Sequence, residues 1–299
     1  MDLSILKDCA LCPRNCRIDR TVKKGYCKTG ARLIVARAAL HMWEEPCVSG
    51  EQGSGTVFFS GCALGCVYCQ NRSISKDLAG KEISIERLAQ IFLELQEKGA
   101  NNVNLVTPSH FVPHIIEALD IARAKGLNIP IVYNCGGYEK VDTLKLLEGY
   151  VDIYLPDFKY MSAEPAKKYS NCEDYFEVAS KALDEMVRQV PQAVFDSRGI
   201  MLKGVIVRHL TLPGCLEDSK RIIKYLYQTY GDKIYISIMS QYTPISKNPK
   251  FPELNRRITQ KEYDELVDYA ISLGVQNGFI QEGETALESF IPPFDNEGV

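Results

Sequence analysis

Three closely spaced cysteines are the residues of this 299-residue chain best suited to unusual chemistry. Cys62, Cys66 and Cys69 stand in the run Cys-Ala-Leu-Gly-Cys-Val-Tyr-Cys, directly behind the strand-like run 56–60. Thiolates are soft ligands that suit iron–sulfur clusters and zinc. A structural metal site normally has four protein ligands, whereas three leave one position open to bind something else. The spacing therefore predicts a reactive metal centre, with a zinc knot or inert thiols as the alternatives.

Four further cysteines near the start of the chain have the pattern of a closed site. Cys9, Cys12 and Cys16 are followed after ten residues by Cys27. Few apolar residues precede Leu33, so a bound metal is expected to hold this segment together. Four thiolates suit a structural zinc ion or a second iron–sulfur cluster equally well, and inert thiols are the third reading.

Composition sets the broad class of the protein. Hydrophobic residues make up 45% of the chain and charged residues 24%, which is ordinary for a globular protein with a buried core. The net charge of −3 does not favour nucleic-acid binding, which usually goes with a basic surface. No apolar run of the sequence is long enough to span a membrane. We therefore expect a cytoplasmic protein whose eleven cysteines serve metal ligation rather than disulfide formation.

The elements that must position the cysteines alternate between strand and helix patterns, which predicts βα units and a parallel sheet. We expect a partial (β/α)6 barrel of the TIM type over residues 49–299, with a C-terminal extension, and a separate cysteine-rich metal-binding segment over residues 1–48. A further strand is expected at 33–40. The following His41, Glu44 and Glu45 are candidates to face a substrate, with a solvated connecting segment as the favoured interpretation. The barrel strands are predicted at 56–60, 102–106, 129–133, 151–156, 204–207 and 234–238.

Each predicted barrel strand ends in polar or metal-binding residues. In a barrel of this type the chemistry lies at the C-terminal ends of the strands. The polar candidates are Thr107, Ser109 and His110 after the second strand, Asn134 after the third, Asp157 and Lys159 after the fourth, Arg208 and His209 after the fifth, and Gln241 after the sixth.

The cysteine loop resembles a known family. Its pattern C-x-x-x-C-x-aromatic-C behind a first strand is similar to the signature of the radical S-adenosylmethionine superfamily. The wider run GTVFFSGCALGCVYCQN resembles the branch of the pyruvate formate-lyase activating enzyme. The resemblance implies a 4Fe–4S cluster on Cys62, Cys66 and Cys69, whose open iron binds S-adenosylmethionine. It further implies a 5′-deoxyadenosyl radical and a low-potential electron donor such as flavodoxin or ferredoxin.

The resemblance also implies roles for single residues. Tyr68 matches the aromatic position beside the adenine, and Asp157 and Lys159 match the D-x-K motif of the activating-enzyme branch. Arg208 and His209 take the place of contacts to the cofactor carboxylate and ribose. We expect Asp157, Lys159 and His209 to be catalytic, and Asn134 and Gln241 to contact the cofactor.

Two features depart from that branch. Most members carry Gly-Gly-Glu after the second strand to bind the amino group of the cofactor, whereas this chain has Thr107-Pro-Ser109-His110. Thr107, Ser109 and His110 are therefore the candidate acceptors. The extra cysteines also precede the cluster loop, whereas glycyl-radical activating enzymes with extra clusters carry them in an insert after it.

The leading functional hypothesis is an anaerobic oxidoreductase that abstracts hydrogen from a protein, peptide or small molecule. The alternative is a two-cluster electron-transfer protein, which leaves Asp157, Lys159, Arg208 and His209 without a role. A zinc hydrolase is a third reading, but the sequence lacks the His-Glu-x-x-His pattern of a general base beside the metal.

Overall fold

The strands of the computed structural model, which describes residues 3–244, 247–280 and 292–299, form one large sheet. In chain order they are β1 (Leu33–His41), β2 (Ser54–Phe59), β3 (Lys81–Ile83), β4 (Val103–Val106), β5 (Ile131–Cys135), β6 (Ile153–Pro156), β7 (Val194–Phe195), β8 (Met201–Leu210), β9 (Tyr235–Met239) and β10 (Gly278–Ile280).

The sheet is an open path with the order β10-β9-β8-β6-β5-β4-β2-β1-β3. All neighbours from β2 to β10 pair in parallel, whereas β1 pairs with β2 and β3 in antiparallel fashion. The predicted parallel α/β fold with a partial barrel is confirmed. Its curved parallel sheet has a seventh strand, β10, and an antiparallel edge that the periodicity did not reveal.

Helices cover the outer face of the parallel sheet. They are α1 (Pro46–Ser49), α2 (Arg72–Ser75), α3 (Ile85–Glu97), α4 (Val112–Ala124), α5 (Val141–Lys145), α6 (Ala163–Ser170), α7 (Tyr175–Gln189), α8 (Leu216–Tyr230) and α9 (Gln260–Leu273), with α1 an exception described below. Two helices begin with capping side chains: Ser84 Oγ accepts from Arg87 N at the start of α3, and Thr259 and Glu262 form a capping box at the start of α9.

Alternation along the strands separates an interior from an outer face. Val132, Ile153, Leu155 and Ile206 pack together inside the barrel, in one apolar cluster with Met201. Their sequence neighbours face the helices; for example, Val205 and Val207 pack with the residues of α7 and α8. Since successive strand residues point to opposite faces, only every second residue of a strand can reach a site inside the barrel.

The short helix α1 fills the lower end of this interior. Cys47 and Val48 join the same apolar cluster as Val132 and Leu155. Asn102, just before β4, donates its side-chain amide to the carbonyl of Val48 over 2.8 Å. The chain between β1 and β2 therefore enters the barrel, and it carries Glu44 and Glu45 with it.

Residues 3–32 precede the sheet as an irregular unit. It begins with a 3-10 helix at Leu3–Asp8, and Leu6, Cys9 and Leu11 form a small apolar cluster. The next element, β1, belongs to the main sheet. The division of the chain at residue 48 stays a prediction.

Candidate functional site

The catalytic loop, residues 61–70, leaves the carboxyl end of β2 and carries the three cysteines. Each thiol accepts a hydrogen bond: Leu64 N donates to Cys62 Sγ over 3.4 Å, and Ser75 Oγ to Cys69 Sγ over 3.4 Å. Ser170 Oγ donates to Cys66 Sγ over 2.9 Å. Hydrogen bonds to sulfur are among the features that set the reduction potential of an iron–sulfur cluster.

The chemistry of this donor set fits a cluster. Burial, followed by the neighbouring Cys66 and Cys69, raises the pKa of the Cys62 thiol to about 12 in the protein alone. Metal binding therefore has to displace the protons, as it does in thiolate sites generally. Within the described parts of the chain, no three His, Cys, Asp or Glu side chains converge closely enough for one shared ion. In a 4Fe–4S cluster, however, each thiolate binds its own iron.

A cavity of about 220 Å³ opens beside the loop inside the barrel. Cys66 and Cys69 form one wall. Predicted site residues form much of the remainder, namely Tyr68, Asn134, Asp157, Lys159, Arg208 and Gln241. The tertiary structure thus brings six of the predicted cofactor-binding residues to one cavity beside two of the cysteines, while their roles toward the cofactor stay predictions.

Charged groups in the cavity form one connected network. Asp157 accepts from Lys159 Nζ over 2.6 Å and from Arg208 Nε over 3.0 Å. Arg208 also pairs with Glu44 Oε2 over 3.1 Å and donates to Asn134 Oδ1 over 2.6 Å. This arrangement presents both carboxylates and cations, as an amino acid zwitterion requires of its binding site.

The network keeps Asp157 and Lys159 ionised. Burial opposes ionisation of Asp157, but Lys159 and Arg208 outweigh it and lower the pKa of the carboxyl. Burial likewise disfavours the Lys159 ammonium, and the Asp157 carboxylate reverses that effect and raises its pKa. Both groups therefore remain charged at neutral pH, each available to a ligand of opposite charge.

A chain of hydrogen bonds connects Tyr68 to Cys66. Its hydroxyl lies 2.7 Å from Tyr160 Oη, which lies 2.7 Å from Ser170 Oγ, the donor to Cys66 Sγ. The rings of Tyr169 and Tyr242 pack edge-on against Tyr68. Tyr68 lines the cavity, and contact of its ring with the adenine stays a prediction.

Four of the predicted cofactor-binding residues lie outside this cavity. Both ring nitrogens of His209 are engaged in the core, Nδ1 at 2.7 Å from Phe158 O and Nε2 at 2.8 Å from Ser219 Oγ. Since Arg208 points inward, strand alternation turns its neighbour outward. Ser109 Oγ donates to Glu139 over 2.6 Å, and His110 Nε2 lies 2.8 Å from Ser60 O. Thr107 has a left-handed backbone (φ 59°) and does not line the cavity.

Glu44 is the functional candidate that sequence reasoning misplaced. It was assigned to a solvated segment, but its side chain is only 8% exposed and contacts Arg208 and Asn134. Glu45 is buried as well, which raises its pKa. The reason is that α1 enters the barrel, which no local pattern encodes. Two adjacent acidic residues before an apolar helix turn were the one available signal.

The N-terminal cysteines also approach one another. A side-chain carbon added at Gly25 would lie 3.4 Å from Cys27 Sγ and 3.6 Å from Cys16 Sγ, so the glycine leaves room between two sulfurs. Burial raises the pKa of the Cys12 thiol to about 12, and the neighbouring Cys27 and Cys16 add to the increase. Cys9 lies in the cluster with Leu6 and Leu11. Metal ligation by these four residues stays a prediction.

The fold and the three-cysteine loop define a class of protein. The family model of the radical SAM superfamily matches residues 56–205, from β2 into β8. The chain therefore belongs to the radical SAM superfamily. A 4Fe–4S cluster and S-adenosylmethionine are the cofactors of this family, whose members cleave S-adenosylmethionine to a radical. No helix among residues 3–244, 247–280 and 292–299 is long and apolar enough to cross a membrane.

Two curated proteins are similar in sequence. The chain is 28% identical over 277 residues to an uncharacterized protein of Methanocaldococcus jannaschii, covering 89% of this chain and 75% of that one. It is 26% identical over 182 residues to the pyruvate formate-lyase-activating enzyme of Clostridium pasteurianum, covering 57% of this chain and 66% of the enzyme.

Two solved structures are similar in fold. SuiB of Streptococcus suis bound to its precursor peptide SuiA matches with 9% identity and a TM-score of 0.48, over 75% of this chain and 47% of that chain. The FeFe-hydrogenase maturase HydG of Carboxydothermus hydrogenoformans matches with 15% identity and a TM-score of 0.46, over 79% and 59%. The chain thus spans about half the length of these structures.

Proposed function

We propose that this protein is a cytoplasmic, activating-enzyme-like oxidoreductase that abstracts a hydrogen atom from a substrate held next to the cysteine-lined cavity. The observation that supports this proposal is that two cavities join each other. The second, of about 560 Å³, shares Trp43, Glu44, Arg208, Met239 and Gln241 with the first. One cavity offers the cofactor a charged site beside the cysteines, and the other offers a substrate direct access to it.

In this proposal each residue of the site has a stated role. Cys62, Cys66 and Cys69 hold the cluster, while Arg208 and Lys159 bind the cofactor carboxylate. Asp157 and Glu44 accept hydrogen bonds from its amino group, so Glu44 does the work that Gly-Gly-Glu does in most of the family. When bound, the two cofactors supply an electron and a sulfonium whose cleavage yields the 5′-deoxyadenosyl radical.

The second cavity favours a peptide or protein side chain as substrate. Its rim carries Met42, Trp43 and Ile280, which are 43%, 63% and 49% exposed. Apolar side chains at a rim bind an apolar stretch of a partner, whereas a small polar metabolite gains nothing from them. The buried Glu45 and Ser237 line the inner wall and offer a polar anchor for the group that enters.

The test is an anaerobic assay of the reconstituted protein with dithionite and S-adenosylmethionine. We expect 5′-deoxyadenosine and methionine, formed slowly without substrate. With a peptide substrate deuterated at the reacting carbon, deuterium should appear in 5′-deoxyadenosine. A protein with a fully loaded cluster that yields no 5′-deoxyadenosine would instead favour the two-cluster electron-transfer protein.

A further inference from the structure

The N-terminal unit, residues 3–32, presents its sulfurs in a redox-competent setting. Tyr26 N donates to Cys16 Sγ over 3.3 Å, and Cys27 Sγ lies 3.0 Å from Thr29 Oγ1. The sulfurs of the catalytic loop have the same kind of hydrogen bonds. Hydrogen bonds to sulfur are among the features that set the potential of an iron–sulfur cluster.

This unit packs directly against the catalytic loop. A side-chain carbon at Gly61 would lie 2.7 Å from the carbonyl oxygen of Cys27 and 2.6 Å from Thr29 Cγ2. Gly61 has φ 93° and precedes Cys62 in the chain. The backbone of Cys27 thus lies against Gly61, the residue directly before Cys62, so the two cysteine sets are neighbours in space.

Two arginines hold this contact in place. Arg14, between Cys12 and Cys16, donates to Ala63 O over 2.8 Å and to Ser170 O over 3.1 Å. Ser170 is the donor to Cys66 Sγ. Arg20 is 1% exposed and donates to Gly30 O, Thr29 Oγ1 and the carbonyl of His110. A buried guanidinium is tolerated only where its hydrogen bonds are made, so the docking geometry is specific.

The N-terminal segment is basic. Residues 1–32 contain eight Lys and Arg, one of which is the buried Arg20, against three Asp and Glu, whereas the whole chain has a net charge of −3. Lys23, Lys24 and Lys28 are exposed, and together with Arg32, which pairs with Glu82, they line one surface groove. Val22 and Tyr26 beside them are 78% and 42% exposed. We call Val22–Lys28 the basic face; it surrounds Cys27.

We propose that Cys9, Cys12, Cys16 and Cys27 hold an iron–sulfur cluster that relays single electrons to the catalytic cluster, and that the basic face docks an acidic one-electron carrier protein. The relay deepens the proposed function and rests on it. One electron leaves the reduced carrier, which is thereby oxidised, passes through the N-terminal cluster and reduces the catalytic cluster. Complementary charge favours fast encounter and correct orientation of such a carrier.

The experiment uses the full-length reconstituted protein with an acidic ferredoxin or dithionite as alternative reductants. Lys23→Glu/Lys24→Glu should lower the ratio of ferredoxin-driven to dithionite-driven 5′-deoxyadenosine formation at least tenfold. Calorimetry should show a matching loss of ferredoxin affinity, and added salt should weaken binding to wild type more than to the variant. The matched control is Lys98→Glu/Lys125→Glu, with exposed lysines at the ends of α3 and α4 far from the basic face; its ratio should equal that of wild type.

A readout independent of turnover is electron paramagnetic resonance of the Cys62→Ala/Cys66→Ala/Cys69→Ala variant. Reduced ferredoxin should still produce the signal of a reduced iron–sulfur cluster, and the added Lys23→Glu/Lys24→Glu change should suppress it. Zinc in place of iron in this variant, or equal effects of the two lysine pairs, would overturn the relay. If neither reductant yields 5′-deoxyadenosine in wild type, the proposed function fails, and the resonance experiment still decides whether the N-terminal cysteines hold an iron–sulfur cluster that the carrier reduces through the basic face.

Discussion

The molecule carries two cysteine sites of different construction. Cys62, Cys66 and Cys69 follow a fully buried strand, and their loop is held by donors from α2 and α6. Cys9, Cys12, Cys16 and Cys27 lie in an irregular unit with a small apolar cluster of its own. The first site is held in place by the barrel, whereas the metal proposed for the second site would supply much of its order. In the first region the fold positions the thiolates. In the second, thiolates that bind the proposed metal would order the surrounding chain.

Removal of one cysteine from the catalytic loop should have the largest effect on activity. In Cys66→Ala, dithionite-driven 5′-deoxyadenosine formation should fall by more than about 100-fold, since loss of a ligand exceeds the 10–100-fold cost of an outer-shell change. The fold should remain, because the barrel and not the cluster supports it; circular dichroism checks this. Cys215→Ala is the matched control. Near wild-type cleavage by Cys66→Ala would remove that cysteine from the ligand set.

Loss of the N-terminal metal should have the opposite consequence. In Cys12→Ala/Cys16→Ala, cleavage of residues 3–32 by a low dose of protease should accelerate by at least about tenfold, because metal binding supplies folding free energy to such units. Residues 33–299 should stay intact in the same digest, as mass spectrometry would show. A variant as resistant as wild type would mean that Arg14 and Arg20 alone order the unit.

Within the cavity, Arg208→Gln should weaken S-adenosylmethionine binding by roughly 10- to 100-fold, the value of one charge-assisted hydrogen bond or more. The iron content should not change, because Arg208 is no ligand. Lys203→Gln, on the exposed part of the same strand, serves as control. Equilibrium dialysis measures both, and equal affinities would contradict the placement of the cofactor carboxylate.

Glu139 lies at the junction of the two regions. Burial raises its pKa to about 7 despite hydrogen bonds from Ser109 and Tyr133, and its charge contributes to the raised pKa of Cys12. The ordinary pKa of this carboxyl is 4.5, so between pH 4.5 and about 7 the folded protein keeps a proton on Glu139 that the unfolded chain has released. Stability from this group is present at low pH and is lost as the pH rises through about 7.

The corresponding expectation is a pH-dependent difference in urea unfolding. Between pH 5.5 and 8 wild type should lose about 2 kcal/mol of unfolding free energy through Glu139, whereas Glu139→Gln should lack that loss. Anaerobic unfolding curves at four pH values measure it. Parallel pH profiles for the two proteins would show that Glu139 does not titrate in this range.

The smallest effect is expected at His209, on the outer face of β8. His209→Gln should cost about 1 kcal/mol of stability, since an amide can replace only one of its two hydrogen bonds. Affinity for S-adenosylmethionine should be unchanged, in contrast to Arg208→Gln one residue earlier. A loss of affinity without loss of stability would restore His209 to the cofactor site.

Much of this architecture follows from local sequence patterns. The Cys62–Cys69 spacing, the alternation of strand and helix periods and the caps at Ser84 and Thr259 are properties of short segments, and physical constraints act on them locally. The positions of Asp157 and Arg208 at strand ends likewise predict a shared edge, because parallel strands align their carboxyl ends. These features could be predicted from the sequence without a structure.

The remainder was decided by tertiary packing. Whether Arg208 or His209 faces the interior depends on strand register, and one residue reverses the answer. Glu44 enters the site because α1 fills the barrel, which is a consequence of the space between strands distant in sequence. The contact of Gly61 with Cys27 joins residues 34 positions apart, and no local period records it. The residue types and their spacing therefore indicate the chemistry of the chain, while packing between distant segments sets which residues share one site.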